Sequence, residues 1–270
     1  MTSDHPLDRI ANQLITQGAR LFAEQRNCSE IWELSLDDDR DVVGEFPQCR
    51  SGIEIPDFSD KTRLLPVDVA DARQYDACGF PDYSRGVPSL RLQPYSKWTD
   101  AMKSDLAMDG ILLSETAWSL FQQHNLGIFR VYPARICDKS GNEKQYQFAF
   151  LRNELSPYVV DFARSEFFIS DILGLPGEQI IVSSFEEWLE LDNKMNQRGS
   201  LEYGSSINYK KLFFQRADAP GYDIFSFKKL SCTLYITEKL KNAIELFRIS
   251  GLKINPNQRV YLSDPDATSD

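Results

Sequence analysis

The chain has 270 residues, 42 % hydrophobic and 12 % aromatic, enough to fill a sizeable core and far from the composition of a disordered chain. Its formal net charge of -10 disfavours binding to nucleic acid through phosphate neutralisation and suits a basic protein partner better, although solubility alone accounts for such a charge. The five cysteines are scattered without a close C-x-x-C pair, which argues against a zinc site and a disulfide framework and favours reduced thiols.

In chain order, residues 7–26 place Ile10, Leu14, Leu21 and Phe22 on one face of a helix, weakened by Gly18. No basic segment followed by an apolar run precedes it, and no apolar run approaches bilayer length, so the expectation is a cytoplasmic protein without a membrane partner. Residues 31–36 alternate as a strand. The acidic cluster Asp37, Asp38, Asp39 and Asp41 then reads as the tip of a hairpin, with Val42 and Val43 starting the return. From 46 to 94, Pro47, Pro56, Pro66, Pro81, Pro88 and Pro94 break the chain into short extended pieces such as 52–55 and 64–69. A short helix is expected over 95–106.

Residues 110–136 read as strand, helix, strand. Ile111, Leu112 and Leu113 form the first strand, Ser114 is an N-cap, Glu115 meets the positive end of the helix dipole, and Gly127 stops the helix. Residues 146–152 alternate as a returning strand after the polar turn at 138–144. Short strands are expected at 158–162, 166–169 and 180–182, around a turn at 174–177. Ser184 and Glu187 match a capping box for a helix carrying Trp188, Leu191 and Met195, stopped at Gly199. Residues 209–214 and 224–227 are extended and aromatic. Residues 233–255 repeat the first unit: Thr237 stands where Ser114 stood, Glu238 where Glu115 stood, and Gly251 where Gly127 stood. Each helix is long enough to cross between parallel strands, and helices returning onto an antiparallel sheet are the alternative. Either arrangement is α+β: a mixed β-sheet with helices packed on it, two similar strand-helix-strand units and a loop-rich N-terminal part. The expected divisions are a helix and loop-rich β region over 1–99, an α+β domain over 100–262, separate from the first or compact with it, and a disordered tail over 263–270.

Chemical motifs are sparse. His5 and His124 are the two histidines, and the helix C-terminus is reason enough for His124. There is no nucleophile elbow, H-E-x-x-H, P-loop or dinucleotide fingerprint. Ser226 to Lys229 match S-x-x-K but lie in a strand pattern that turns Ser and Lys outward. Asp37 to Asp41 lack the central Gly and closing Glu of a calcium loop. Lys210, Lys211, Phe213, Phe214 and Arg216 mix basic and aromatic residues, as nucleic-acid surfaces do and as a half-buried strand does equally well. No catalytic, cofactor or metal residue is assigned.

The segments Gly110 to Glu115, Asp161 to Phe167, Asp223 to Phe225, Leu234 to Lys241, Ala243 to Glu245 and Gly251 to Ile254 together resemble a family long carried as a domain of unknown function. That family is counted among the immunity proteins of bacterial polymorphic-toxin systems. The resemblance spans roughly residues 100–255, with 174–206 as an insertion, and rests on caps, core positions and a turn glycine. It implies a non-enzymatic protein that binds and neutralises a cognate interbacterial toxin acting in the cytoplasm. Asp37, Asp38, Asp39 and Asp41 are then the candidate contacts, because acidic inhibitors can imitate a nucleic-acid backbone. A carboxylate-dependent hydrolase and a secretion-system adaptor are the alternatives.

Overall fold

The computed structural model describes residues 31–45, 47–51, 79–81, 83, 87, 89–104, 106, 110–171, 176–195, 205–215, 221–227 and 229–263. The expected helix over 7–26, the extended pieces at 52–55 and 64–69, the Gly199 stop and residues 264–270 lie outside them. The α+β expectation holds, with the strands divided among three sheets in the described residues.

The first unit consists of β4 (Ala101–Met102), β5 (Gly110–Leu113), helix α2 (Glu115–Phe121), β6 (Phe129–Cys137) and β7 (Glu143–Leu151). Strand β7 lies between β5 and β6 and runs antiparallel to both, so β5 and β6 are parallel and α2 is the crossover between them. Two short strands, β2 (Cys49–Ser51) and β3 (Leu90–Leu92), complete a sheet of order β2-β3-β6-β7-β5-β4. Every residue of β5 is buried, which is why Ile111 to Leu113 read as a continuous apolar run and not as an alternation.

The second unit repeats this plan. It contains β12 (Ile224–Phe227), β13 (Ser231–Thr237), helix α4 (Glu238–Leu246) and β14 (Leu252–Pro256). Here the strand between the two parallel ones is β1 (Ile31–Leu36), antiparallel to both β13 and β14. The earliest described strand thus occupies the slot that β7 holds in the first unit. With β8 (Glu154–Leu155) the order is β14-β1-β13-β12-β8. Helices α2 and α4 pack on each other, and one apolar cluster joins Ala117, Leu120 and Phe121 to Leu240, Ile244, Leu34, Ile236, Ile111 and Leu113.

The far face of the second sheet carries Phe225, Phe227 and Tyr235, which pack against a third sheet. That sheet has the order β10-β9-β11-β15, from β9 (Glu166–Ser170), β10 (Pro176–Ile180), β11 (Ser206–Gln215) and β15 (Val260–Ser263). Helix α3 (Phe185–Met195) covers the same cluster with Trp188 and Met195. Within it the hydroxyls of Tyr209 and Tyr235 lie 2.7 Å apart, so two buried polar tips satisfy each other. Burial, followed by the neighbouring Tyr209, pushes the Tyr235 phenol well above its ordinary range.

Several local expectations are corrected. The described residues of 95–106 form no helix: a turn at Tyr95 leads to β4, whose two residues are wholly buried against β5. Residues 158–162 form a 3-10 turn (Pro157–Val159) followed by one bridge from Val160 to Phe214. Of the strand expected at 180–182 only Ile180 lies in a strand, as the last residue of β10. Ser226 does not face outward, because both faces of β12 are covered. Ser263 belongs to β15 and so precedes any tail. Ser184 does accept from the Glu187 N–H at 3.2 Å, and the Glu187 carboxylate reaches back to the Ser183 N–H at 2.7 Å.

Two glycines with the same backbone angle separate close approach from conformational strain. Gly251 and Gly141 both have φ of +83°, but a Cβ on Gly251 would lie 2.0 Å from the Ala101 carbonyl oxygen, whereas one on Gly141 meets nothing within 4 Å. Gly141→Ala is expected to cost about 1 kcal/mol of left-handed strain. Gly251→Ala adds a backbone collision and is expected to cost about 2–4 kcal/mol. Urea unfolding of the two variants measures the difference; equal costs would remove the close approach as a constraint.

Candidate functional site

The end of the molecule where α2 begins and α4 stops gathers the residues singled out for partner binding. Two aspartates hold it together. Asp100 accepts from the Ser114 hydroxyl at 2.8 Å, and Asp223 accepts from the Thr237 hydroxyl at 3.0 Å. Each aspartate stands 14 residues before the cap that it holds. Ser114 and Thr237 in turn accept from backbone N–H groups in the first turns of α2 and α4.

Each aspartate also reaches the end of the opposite helix. Asp100 accepts from the Ser250 hydroxyl at 2.7 Å and its N–H at 3.0 Å, just beyond α4. Asp223 accepts from the Asn125 N–H at 2.9 Å, just beyond α2, and pairs with Lys239 at 2.9 Å. The glycines share the symmetry: Gly251 abuts Thr99 and Ala101 beside one aspartate, and Gly127 abuts the Tyr222 ring beside the other. An antiparallel helix pair is thus latched at both ends by equivalent carboxylates.

His124 joins the second latch. Its Nδ1 lies 3.4 Å from Asp223 Oδ2, but the alignment is too poor for a hydrogen bond. A carboxylate, an imidazole and an ammonium in contact suggest catalysis. Against that, Asp223 is 6 % exposed and its oxygens are committed to caps and Lys239. Burial raises both carboxylates, but the opposing contacts prevail. His124, Lys239 and the Asn125 N–H hold Asp223 well below the usual carboxylate range; the Ser250 and Ser114 contacts lower Asp100.

The acidic cluster sits on this latched frame and is not a hairpin tip. Asp39 N-caps a one-turn helix, α1 (Arg40–Val43), by accepting from the Asp41 N–H at 2.9 Å. A hairpin would need Val42 and Val43 on a strand; instead Val43 is driven fully into the interior by the helical turn. Asp37 accepts from the Asp39 N–H at 3.0 Å, and its own N–H donates to the Gly251 carbonyl. The four carboxylates therefore divide. Asp37 and Asp39 shape the loop. Asp38 has one solvent-exposed partner, Lys253 at 3.5 Å, and the Asp41 carboxylate has no partner among the described residues.

Sequence reasoning missed the apolar part of this rim. The Lys97 N–H donates to the Val43 carbonyl, which docks the 95–100 segment beside α1 and leaves the Tyr95 side chain 82 % exposed. Val42 is exposed on α1, and Leu246, the last residue of α4, and Phe247, its C-cap, are exposed before the turn that leads to Gly251. Single exposed apolar residues are ordinary; four on three segments joined to an exposed acidic run have the composition of a protein interface. No periodic signal marks Tyr95, because its exposure follows from a turn.

Among the described residues no three His, Cys, Asp or Glu side chains converge as metal ligands, and no helix is long and apolar enough to cross a membrane. The mixed basic and aromatic strand divides by face: Phe214 is buried, whereas Phe213 lies outward under Arg164 and against Tyr261. Arg216 lies outside the described residues. The chain matches no protein-family model, and none of the curated proteins is significantly similar to it.

Because both latch carboxylates bind protons less readily when folded, their stabilisation is present above the unfolded carboxylate pKa of about 4 and is lost as pH falls through the lower folded values. Unfolding free energy should be flat from about pH 7 to 5 and fall below about pH 4. The Asp100→Asn, Asp223→Asn double variant should be less stable at neutral pH and show a shallower acid limb. An unchanged limb would mean that other carboxylates govern acid unfolding. Asp223→Ala alone should cost about 2–4 kcal/mol, since it strands Lys239 and removes the acceptor that orients the Thr237 cap of α4.

Proposed function

We propose that this protein is an immunity protein that binds and neutralises a cognate interbacterial toxin in the cytoplasm, and that it does so without chemistry of its own. The observation that carries this reading is the rim described above. Asp38, whose one partner is the exposed Lys253, Asp41, without a partner among the described residues, and exposed Asp39 lie on segments hydrogen-bonded to those that carry exposed Tyr95, Val42, Leu246 and Phe247, on a frame latched by buried charges. A basic toxin domain is the matching partner. Charge complementarity speeds the encounter and selects the partner, while the aromatic and aliphatic side chains supply contact area. Pre-ordering of the loop by Asp37 and Asp39 lowers the entropy that binding must overcome. The resemblance of residues 100–255 to immunity domains points the same way, as does the excess of acidic over basic residues.

The test is co-expression with the toxin domain encoded beside this chain. Cells should survive, and the two proteins should co-purify. Asp38→Lys with Asp41→Lys should slow association at low salt and weaken binding, leaving folding intact because Asp37 and Asp39 keep the loop. Tyr95→Ala should cost about 1–3 kcal/mol of affinity, mainly through faster dissociation. Killing in the presence of the wild-type protein would sink the reading. Full protection and unaltered affinity in the charge-reversed protein would move the interface elsewhere.

A further inference from the structure

Away from the rim, a groove of about 710 Å³ opens where β9 meets β10 and β11. Both pairings of β9 shift register beside it, between Pro176 and Gln179 and between Tyr209 and Lys211. Such bulges re-aim side chains and recur next to binding sites. Here the second bulge breaks the alternation of β11, so two successive lysines both approach Glu166. Lys211 neutralises that carboxylate at 2.8 Å. Lys210 is left 3.7 Å away and 72 % exposed, a charge in excess of what Glu166 needs.

Arg259 adds a second cation to the lining. One of its terminal nitrogens donates to the Tyr209 carbonyl at 2.7 Å, and the guanidinium lies 4.4 Å above the Tyr209 ring. It is thereby fixed in place with further N–H donors uncommitted among the described residues. On a protein of net charge -10 this is a local reversal of sign. Part of the remaining lining is also unspent. Phe167 stacks on Phe162 and Phe213 on Tyr261, but Phe168 has no ring partner among the described residues. Asn208 gives its amide N–H groups to Ser170 and Ser206, which leaves its carbonyl as an acceptor, and the Gln179 amide makes no hydrogen bond among the described residues.

We propose that this groove binds a small phosphate ester with a planar ring, of mononucleotide size, its phosphate between Lys210 and Arg259 and its ring against Phe168. Two cations, both in excess of the single carboxylate that Lys211 neutralises, suit a phosphate. An aromatic ring without a ring partner among the described residues suits a planar face, and the Asn208 carbonyl and Gln179 amide suit polar ring edges. The volume falls in the range of small-molecule sites. This binding site is independent of the rim and of the toxin-binding reading.

Calorimetric titration of the full chain with AMP tests it, with adenosine and inorganic phosphate in parallel. AMP should bind saturably at one site with a Kd below about 1 mM, and adenosine and phosphate about tenfold more weakly or not at all. Lys210→Glu and Phe168→Ala should each weaken AMP by about tenfold or more. Their circular dichroism and unfolding temperatures should match wild type, and Lys210→Gln serves if the reversed charge perturbs folding. Lys139→Glu, in the exposed turn at 138–144, should leave AMP binding unchanged. Absence of AMP binding, equal binding of AMP and free phosphate, equal binding of AMP and adenosine, or equal losses from Lys139→Glu and Lys210→Glu would each overturn the assignment.

Discussion

The architecture depends on two carboxylates that each serve both helices. An isolated helix leaves N–H groups unsatisfied at its start and carbonyls at its end. In this protein Asp100 and Asp223 complete the cap of one helix and bind the chain just past the end of the other. A single side chain therefore sets the position of α2 relative to α4, and a second repeats the constraint at the opposite end. Apolar contact between Ala117, Leu120, Phe121, Leu240 and Ile244 supplies the non-directional attraction, but it would tolerate sliding. Hydrogen bonds to fixed backbone groups do not, and the register of the two units follows from them.

The two units share a plan but not a chain order. In the first, the strand between the parallel pair is β7, joined to β6 by a short hairpin. In the second it is β1, which pairs Ile31 with Thr237 from the opposite end of the chain. The first unit can close through local contacts. The second closes only when distant segments meet, at a larger loop-closure entropy. The physical expectation is a folding order in which the first unit forms early and β1 docks late. The five-stranded sheet then becomes the surface on which the aromatic cluster and the third sheet assemble, through Phe225, Phe227 and Tyr235.

What could be read from the sequence was what local chemistry determines. Ser114, Thr237 and Ser184 cap helices because a hydroxyl three residues ahead of an N–H needs nothing else. Gly127 and Gly251 have the positive φ expected of them, but they do not stop the helices, which end earlier with Gln122 and Phe247 as their C-caps. The partners of those glycines were not legible, because Tyr222 and Ala101 come from the other unit. The latching role of Asp100 and Asp223 was not legible, although Asp223 opens one of the segments that carry the resemblance: each acts on a cap 14 residues away and on a helix end in the opposite unit. Residues 95–106 misled because helix-compatible composition yielded to tertiary pairing of β4 with β5. Of the candidate site, the acidic run was plain in the sequence, but its division into loop-shaping carboxylates (Asp37, Asp39) and the other two (Asp38, Asp41) depends on the one-turn helix at Arg40–Val43.

The latch and the rim are not separate features. The Asp37 N–H donates to the Gly251 carbonyl, the residue beside Gly251 is Ser250, and Ser250 is held by Asp100. The same aspartate donates its own N–H to the Ser250 hydroxyl, and the chain entering it from Tyr95 is pinned to α1 at Lys97. The acidic loop, the Tyr95 turn and the end of α4 thus meet on one carboxylate. A loop with several like charges tends to spread, because its carboxylates repel one another. Here the backbone of that loop is tied to the best-anchored point of the helix pair, so the charges are held against repulsion before any partner arrives. Stability and presentation consequently draw on the same few hydrogen bonds, and a substitution at Asp100 must affect the rim as well as the core.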